Sequence, residues 1–190
     1  MNGIVLICGG NSSGKTTSIK NFFDNQPTSE PIKKINKAPL YHCVVDGVDV
    51  YTLSTSSLQE KVESRLKKEK GEDCTVDKMI KNLKERLEII NKEADGKKYV
   101  AIIAHGIYAD GNGKLQEPLF LKPIEWLKEQ KDYKIRPIYL NKTNAQHCAE
   151  KLELGRKVTR YEDTFEGIDE KDFDRSTFLM QQVKELIKEI

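Results

Sequence analysis

Directly after the apolar run Ile4-Val5-Leu6-Ile7-Cys8, the chain reads Gly9-Gly10-Asn11-Ser12-Ser13-Gly14-Lys15-Thr16. This fits G-x-x-x-x-G-K-[ST], a pattern with a physical reason at each fixed position. The glycines let the loop curl until successive backbone N–H groups point at phosphate oxygens, and Lys15 adds a compact positive charge. Thr16 offers a hydroxyl to Mg²⁺ at the head of a helix, whose positive dipole end faces the anion. A strand must lead into such a loop and a helix must lead out. Ile19, Phe22 and Phe23 fall on one helical face just beyond Thr17, so both flanks are present. Gly9 to Thr17 is therefore the candidate binding segment for a nucleoside triphosphate.

A chain of 190 residues suits one domain with a sizeable core. Its charged residues make up 33% and its hydrophobic residues 37%, yet the net charge is only +2. That balance argues against a protein built mainly to coat nucleic acid. No apolar run approaches the ~18 residues of a membrane span, and a strand starting at the N-terminus leaves no room for a signal peptide. The four cysteines form no C-x-x-C pair. The expectation is a cytoplasmic protein with free thiols.

Taken in order, residues 24–39 hold three prolines and read as a loop. Residues 41–45 and 48–53 are β-prone and separated by Asp46-Gly47, which predicts a hairpin with a type I′ turn. Ser57-x-x-Glu60 suggests a capped helix carrying Leu58, Val62 and Leu66. A longer helix over 76–94 places Val76, Met79, Ile80, Leu83, Leu87 and Ile90 at three-and-four spacing, and Gly96 ends it. The continuous apolar run 99–104 suits a central parallel strand covered on both faces. A polar, glycine-rich stretch follows. Pro123 is then expected in the first turn of a helix using Ile124 and Leu127. Residues 135–140 make the next strand. Thr143-x-x-Gln146 predicts a capped helix with Ala145, Cys148, Ala149 and Leu152 inward, and Leu179, Met180, Val183, Leu186 and Ile190 mark a last amphipathic helix. Strands alternating with helices predict an α/β domain of three layers, α/β/α, with a mostly parallel sheet and one β-hairpin.

Three stretches together resemble the small P-loop kinases, the broad group holding nucleoside-monophosphate kinases and polynucleotide-kinase-like enzymes. They are GGNSSGKT, the strand YVAIIAHG, and the run from PIYLNKTNAQHCAEKLELGRKVTR to FDRSTFLMQQVKEL. The resemblance implies an ATP-dependent phosphotransferase using Mg²⁺. It also implies that the late region, about 153–175, is a small arginine-bearing lid over the phosphates. Arg156, Arg160 and Arg175 lie there, in a chain with only six arginines. Arginine neutralises the charge of a moving phosphoryl group with fixed geometry. The plainer alternative pairs these arginines on the surface with Glu162, Asp163, Asp172 or Asp174.

One expected part is out of place. A P-loop enzyme commonly holds Mg²⁺ with an Asp at the end of the strand beside the loop. Here that strand ends at His105. Asp110 is the nearest candidate acid, and Asp46 and Asp49 in the hairpin are others. Asn141-Lys142-Thr143-Asn144 is similar to the guanine-reading N-K-x-D, but its last position lacks the carboxylate that accepts from guanine N1–H and N2–H. Asp110-Gly111-Asn112-Gly113 spells D-x-x-G away from a strand end. The pairs His42-Cys43 and His147-Cys148 lack metal-ligand spacing. Ser54-Thr55-Ser56-Ser57 lies where an acceptor could dock, although such a run more often caps a helix. Trp126 and Phe120 read as packing residues.

These residues lead to a protein binding ATP with Mg²⁺ and passing the γ-phosphoryl group to a nucleotide, a nucleic-acid end or a small hydroxylated acceptor. Lys15, Arg156, Arg160 and Asp110 are its candidate catalytic residues, with Thr16 on the metal. The alternative is a nucleotide-binding switch or regulatory ATPase, in which the displaced acid means little turnover. A third, an ATP-linked nucleic-acid factor, would require salt-sensitive binding.

Overall fold

In the computed structural model, residues 1–9, 14–56, 74–106, 116–139, 159–160 and 175–190 are described. Strand β1 (Asn2–Gly9) leads to helix α1 (Lys15–Asp24), followed by β2 (Lys33–Ile35), β3 (Ala38–Val45) and β4 (Val48–Leu53). Helix α2 (Val76–Ala94), β5 (Tyr99–Gly106), α3 (Glu117–Glu129) and β6 (Tyr133–Tyr139) come next. A short β7 (Thr159–Arg160) and α4 (Arg175–Ile187) complete the described elements. The strands form one sheet in the order β2-β3-β4-β5-β1-β6-β7. From β4 to β7 every neighbouring pair is parallel, and only β2–β3 and β3–β4 are antiparallel. The chain is α/β with a mostly parallel, mixed sheet.

The period-two alternation of a strand sorts the core into two halves. Ile4, Leu6 and Cys8 of β1 join Tyr99, Ala101 and Ile103 of β5 beneath α2 and α3, where Met79, Leu83, Leu87, Phe120, Ile124 and Leu127 pack. Val5 and Ile7 join Val100, Ile102 and Ala104 beneath α1 and α4, with Ile19, Phe22, Phe23, Leu179 and Val183. Both faces of β1 and β5 are buried, which is why their sequences are unbroken apolar runs.

The long helix α2 has the bounds its periodicity predicts. Thr75 Oγ1 caps it by accepting from Lys78 N (3.4 Å), and Asp95 and Gly96 leave it through left-handed backbone. The hairpin turn also holds, with φ of +48° at Asp46 and +81° at Gly47, the two positive values of a type I′ turn.

Three expectations need correction. Residues 24–39 are not all loop: β2 lies within them, joined to β3 by Asn36-Lys37, both at positive φ. Neither residue is glycine, so this second tight turn carried only a weak signal. Pro123 lies inside α3 and not in its first turn; Pro118, next after Glu117, takes the tolerant position. Arg160, expected in a lid, is a residue of the sheet strand β7, whose register places it beside Tyr139. The predicted helices over 57–70 and 143–155 lie outside the described residues.

One charged side chain ties β6 to the C-terminal helix. Arg136, buried in the α1/α4 half, donates to Gln182 (3.3 Å) and to the carboxylates of Glu185 and Glu189. Burying a guanidinium is tolerable only with its donors paired, and here Gln182 and Glu185 of α4, with Glu189 just beyond its end, supply the pairing. Arg136→Ala should cost about 2 kcal/mol, read as a lower urea midpoint. Arg136→Met, which keeps the apolar stem, should cost less.

Candidate functional site

Because β5, β1 and β6 run parallel, their carboxyl ends share one edge, and the strand order reverses around β1. Ligands of open α/β sheets bind in the crevice at such a point. Gly9 ends β1 there, and Gly14, at φ +88°, opens α1. That left-handed angle costs a glycine nothing and would strain any other residue. The turn directs the first N–H groups of α1 toward the strand ends, where a helix favours an anion.

Lys15 is only 5% exposed, and its Nζ donates to the Gly9 carbonyl at 2.8 Å. This buried ammonium therefore lies against the carbonyl of the residue that ends β1. Ser18 locks the turn from below, its backbone N–H and its hydroxyl both donating to the Gly14 carbonyl (2.8 Å each). Thr16 donates its hydroxyl proton to the carbonyl of Thr55 (3.1 Å), which leaves its oxygen lone pairs for another partner. A cation, a helix N-terminus and a hydroxyl with oriented lone pairs are a donor set that fits a polyphosphate carrying a hard divalent ion.

The turn after β4 is a second part of the site. Ser54 is buried with φ +72°, a strained angle for a non-glycine residue, and its Oγ accepts from Ser56 N (3.3 Å). Thr55 presents its carbonyl to Thr16, and Ser56 accepts from Arg86 Nη1 at 3.3 Å. Arg86 is 5% exposed on the inner face of α2, beside the equally inward Asn82. Sequence reasoning passed over both. The signal was there: 82 and 86 fall among the apolar positions 79, 83, 87 and 90, where a polar residue is out of pattern.

No family model and no curated protein matches this chain.

At the end of β5 stands His105, wholly buried and stacked on Phe120 with ring centroids 4.9 Å apart and planes 11° off parallel. Its Nε2 meets the Phe120 carbonyl at 2.8 Å. A carbonyl only accepts, so Nε2 carries the proton and Nδ1 holds the lone pair. Burial, together with the positive charges of Lys15 and Arg86, lowers its pKa to about 4 and outweighs the raising effect of the Phe120 carbonyl. His105 is neutral at pH 7. Phe120, expected as packing, also anchors this ring.

The register joins these pieces into one rung across the sheet. Cys8 of β1 lies beside His105 on one side and beside Tyr139 on the other, and Tyr139 lies beside Arg160. Gly9 and Gly106 pair on the next rung out. The two strand-end acids considered in the hairpin are elsewhere. Asp49 pairs with Tyr99 at the opposite end of β5 and binds His42 (2.7 Å), while Asp46 sits in the hairpin turn, 3.8 Å from Lys184. Neither can serve a metal at the loop. Among the described residues no group of three or more His, Cys, Asp or Glu side chains could hold a metal ion. His42 stacks on Tyr51 on one face of the sheet while Cys43 is buried with the other half of the core. Burial pushes the Cys43 thiol up to about 12, far from the thiolate a metal needs. The thiols of Cys8, Cys43 and Cys74 are not joined in disulfides. Trp126 packs at the margin of the α2/α3 half, with Lys84 Nζ 5.2 Å from its ring centroid.

Gly10, Asn11, Ser12, Ser13, Asp110, Arg156, and the stretches 110–113, 141–144 and 147–148 lie outside the described residues. So does all of the lid-like segment except β7 and the start of α4. No helix among the described residues is long and apolar enough to cross a membrane.

Proposed function

We propose that the chain binds ATP at the β1–α1 turn and transfers its γ-phosphoryl group to a hydroxyl of a nucleotide, a nucleic-acid end or a small acceptor. The observation that carries this reading is Lys15, buried at the head of α1 and bent to the carbonyl of Gly9 on the central parallel strand. Its ammonium neutralises the β- and γ-phosphates, and the loop amides with the N-terminus of α1 take the remaining phosphate oxygens. Thr16 holds Mg²⁺, which when bound draws charge from the phosphoryl group as it moves. Arg156 and Arg160 add the fixed positive charge that phosphoryl transfer requires, and Asp110 is the acid nearest in sequence to the strand end. The place of Arg160 on the His105–Cys8–Tyr139 rung supports its part in this set.

A specific observation favours a second reading, the switch or regulatory ATPase. The strand-end position that would hold an acid carries a neutral, buried imidazole already committed to Phe120. Calorimetry with ATP and GTP in the presence of Mg²⁺, followed by phosphate release with nucleosides, nucleotides and 5′-hydroxyl oligonucleotides, separates the two. The kinase reading expects ATP binding and turnover raised at least tenfold by one acceptor class. Equal turnover with every acceptor supports the switch. Absence of ATP binding overturns both.

A further inference from the structure

Two buried side-chain atoms have no hydrogen-bond partner among the described residues: His105 Nδ1 and Asn82 Oδ1. Both are acceptors, and both side chains are at least nine-tenths buried. His105 faces the α2/α3 half, stacked on Phe120 of α3, and Asn82 is on the inner face of α2. A buried acceptor without a donor is costly, and such atoms call for an explanation. Their position supplies one. His105 is the direct strand neighbour of Cys8, one residue before the carbonyl that Lys15 holds, and both Lys15 and Arg86 act on it electrostatically.

We infer that His105 Nδ1 receives the hydrogen bond of the attacking hydroxyl and orients it toward the phosphoryl group. This rests on the ATP-binding reading above and deepens it. A neutral acceptor suits the place. A carboxylate there would pair with Lys15 and Arg86 and repel the phosphoryl oxygens, whereas an imidazole lone pair takes an O–H and leaves both cations to the phosphates. In the step, the hydroxyl oxygen bonds to the γ-phosphorus as the bond from phosphorus to the β–γ bridging oxygen breaks. ADP leaves with that electron pair, and the hydroxyl proton stays on the new phosphate until release to solvent. Nδ1 fixes the direction of attack without keeping the proton. An acceptor served by such a lone pair brings an O–H group, as a nucleoside or polyol does and an ionised carboxylate does not.

The test uses the full chain, ATP, Mg²⁺ and water as the nucleophile. Asparagine places an amide oxygen near the position of Nδ1 and abandons Phe120. Glutamine reaches the Phe120 carbonyl and abandons the Nδ1 position. His105→Gln should keep ATP affinity within about twofold and lose at least tenfold in single-turnover hydrolysis, while His105→Asn restores most of it. A merely structural histidine gives the reverse order, with glutamine the better tolerated. Hydrolysis by His105→Gln at the wild-type rate, or loss in both variants with ATP still bound, overturns the inference. So does a wild type that binds ATP and releases no phosphate. A wild type that binds no ATP instead overturns the reading beneath it. Should the variants fail to fold, ¹⁵N-histidine spectra of the wild type decide, since only three histidines are present. An unprotonated Nδ1 whose signal moves on adding ATPγS and Mg²⁺ supports the assignment. A protonated or unmoved Nδ1 removes it.

Discussion

Replacing Lys15 with alanine is expected to weaken ATP binding roughly 10- to 100-fold, the range set by about 1.5–3 kcal/mol for a charge-assisted bond. The same change should leave the ligand-free protein as stable as before, or more so. The ammonium of Lys15 is 5% exposed and donates to the carbonyl of Gly9, so its charge is held largely out of water. Deleting it removes that desolvation cost. Loss of binding with retained or raised melting temperature is the signature of a residue placed for a ligand. A drop in both would mark Lys15 as a structural brace, and would remove the central support of the proposed function. The variant should also let the pKa of His105 rise, because one of the two cations lowering it is gone.

Acid should weaken the fold through His105. Its pKa is about 4 in the folded chain, against about 6.5 for an ordinary histidine. The folded state therefore binds this proton less readily than the unfolded one. The stability linked to His105 is complete above about pH 6.5 and is lost as the pH falls toward 4, in total about 3 kcal/mol. The groups that set this are Lys15 on α1, Arg86 on α2 and the Phe120 carbonyl on α3, all acting on a wholly buried ring. Urea unfolding of wild type and His105→Gln at about pH 7, 5.5 and 4 checks it. Carboxylate titrations are common to both proteins and cancel in the difference. The wild type should lose its stability relative to the variant across that interval. Parallel curves would show that His105 titrates normally and is not the buried neutral group described above.

The regular elements were legible because their sequence signals are local and redundant. The apolar runs of β1 and β5, the spacing within α2 and the Asp46-Gly47 turn each state their own structure. Asn36-Lys37 was missed because two non-glycine residues adopt positive φ there, and the surrounding pairing of β2 with β3 outweighs their modest reluctance. Pro123 misled because a proline inside a helix is rarer than one at its start, and Pro118 had already taken the start. At the site, the loop pattern named Gly9, Gly14, Lys15 and Thr16, but not the residues that position them. Arg86 and Arg136 are charged, so composition assigns them to the surface. Only the fold reveals that one reaches the Ser56 carbonyl and the other a row of acceptors on α4. The Thr55 carbonyl that orients Thr16 is backbone, and no side-chain pattern can announce it.

The three residues after β4 have a mechanical consequence. Helices α1 and α2 lie on opposite faces of the sheet and belong to different halves of the core. Yet Thr16 of α1 and Arg86 of α2 bond neighbouring carbonyls, those of Thr55 and Ser56. This short stretch acts as a rivet through the edge of the sheet, so a displacement of Thr16 on one side pulls on α2 at the other. A fluorophore on the outer surface of α2, remote from any phosphate, should therefore report events at the head of α1.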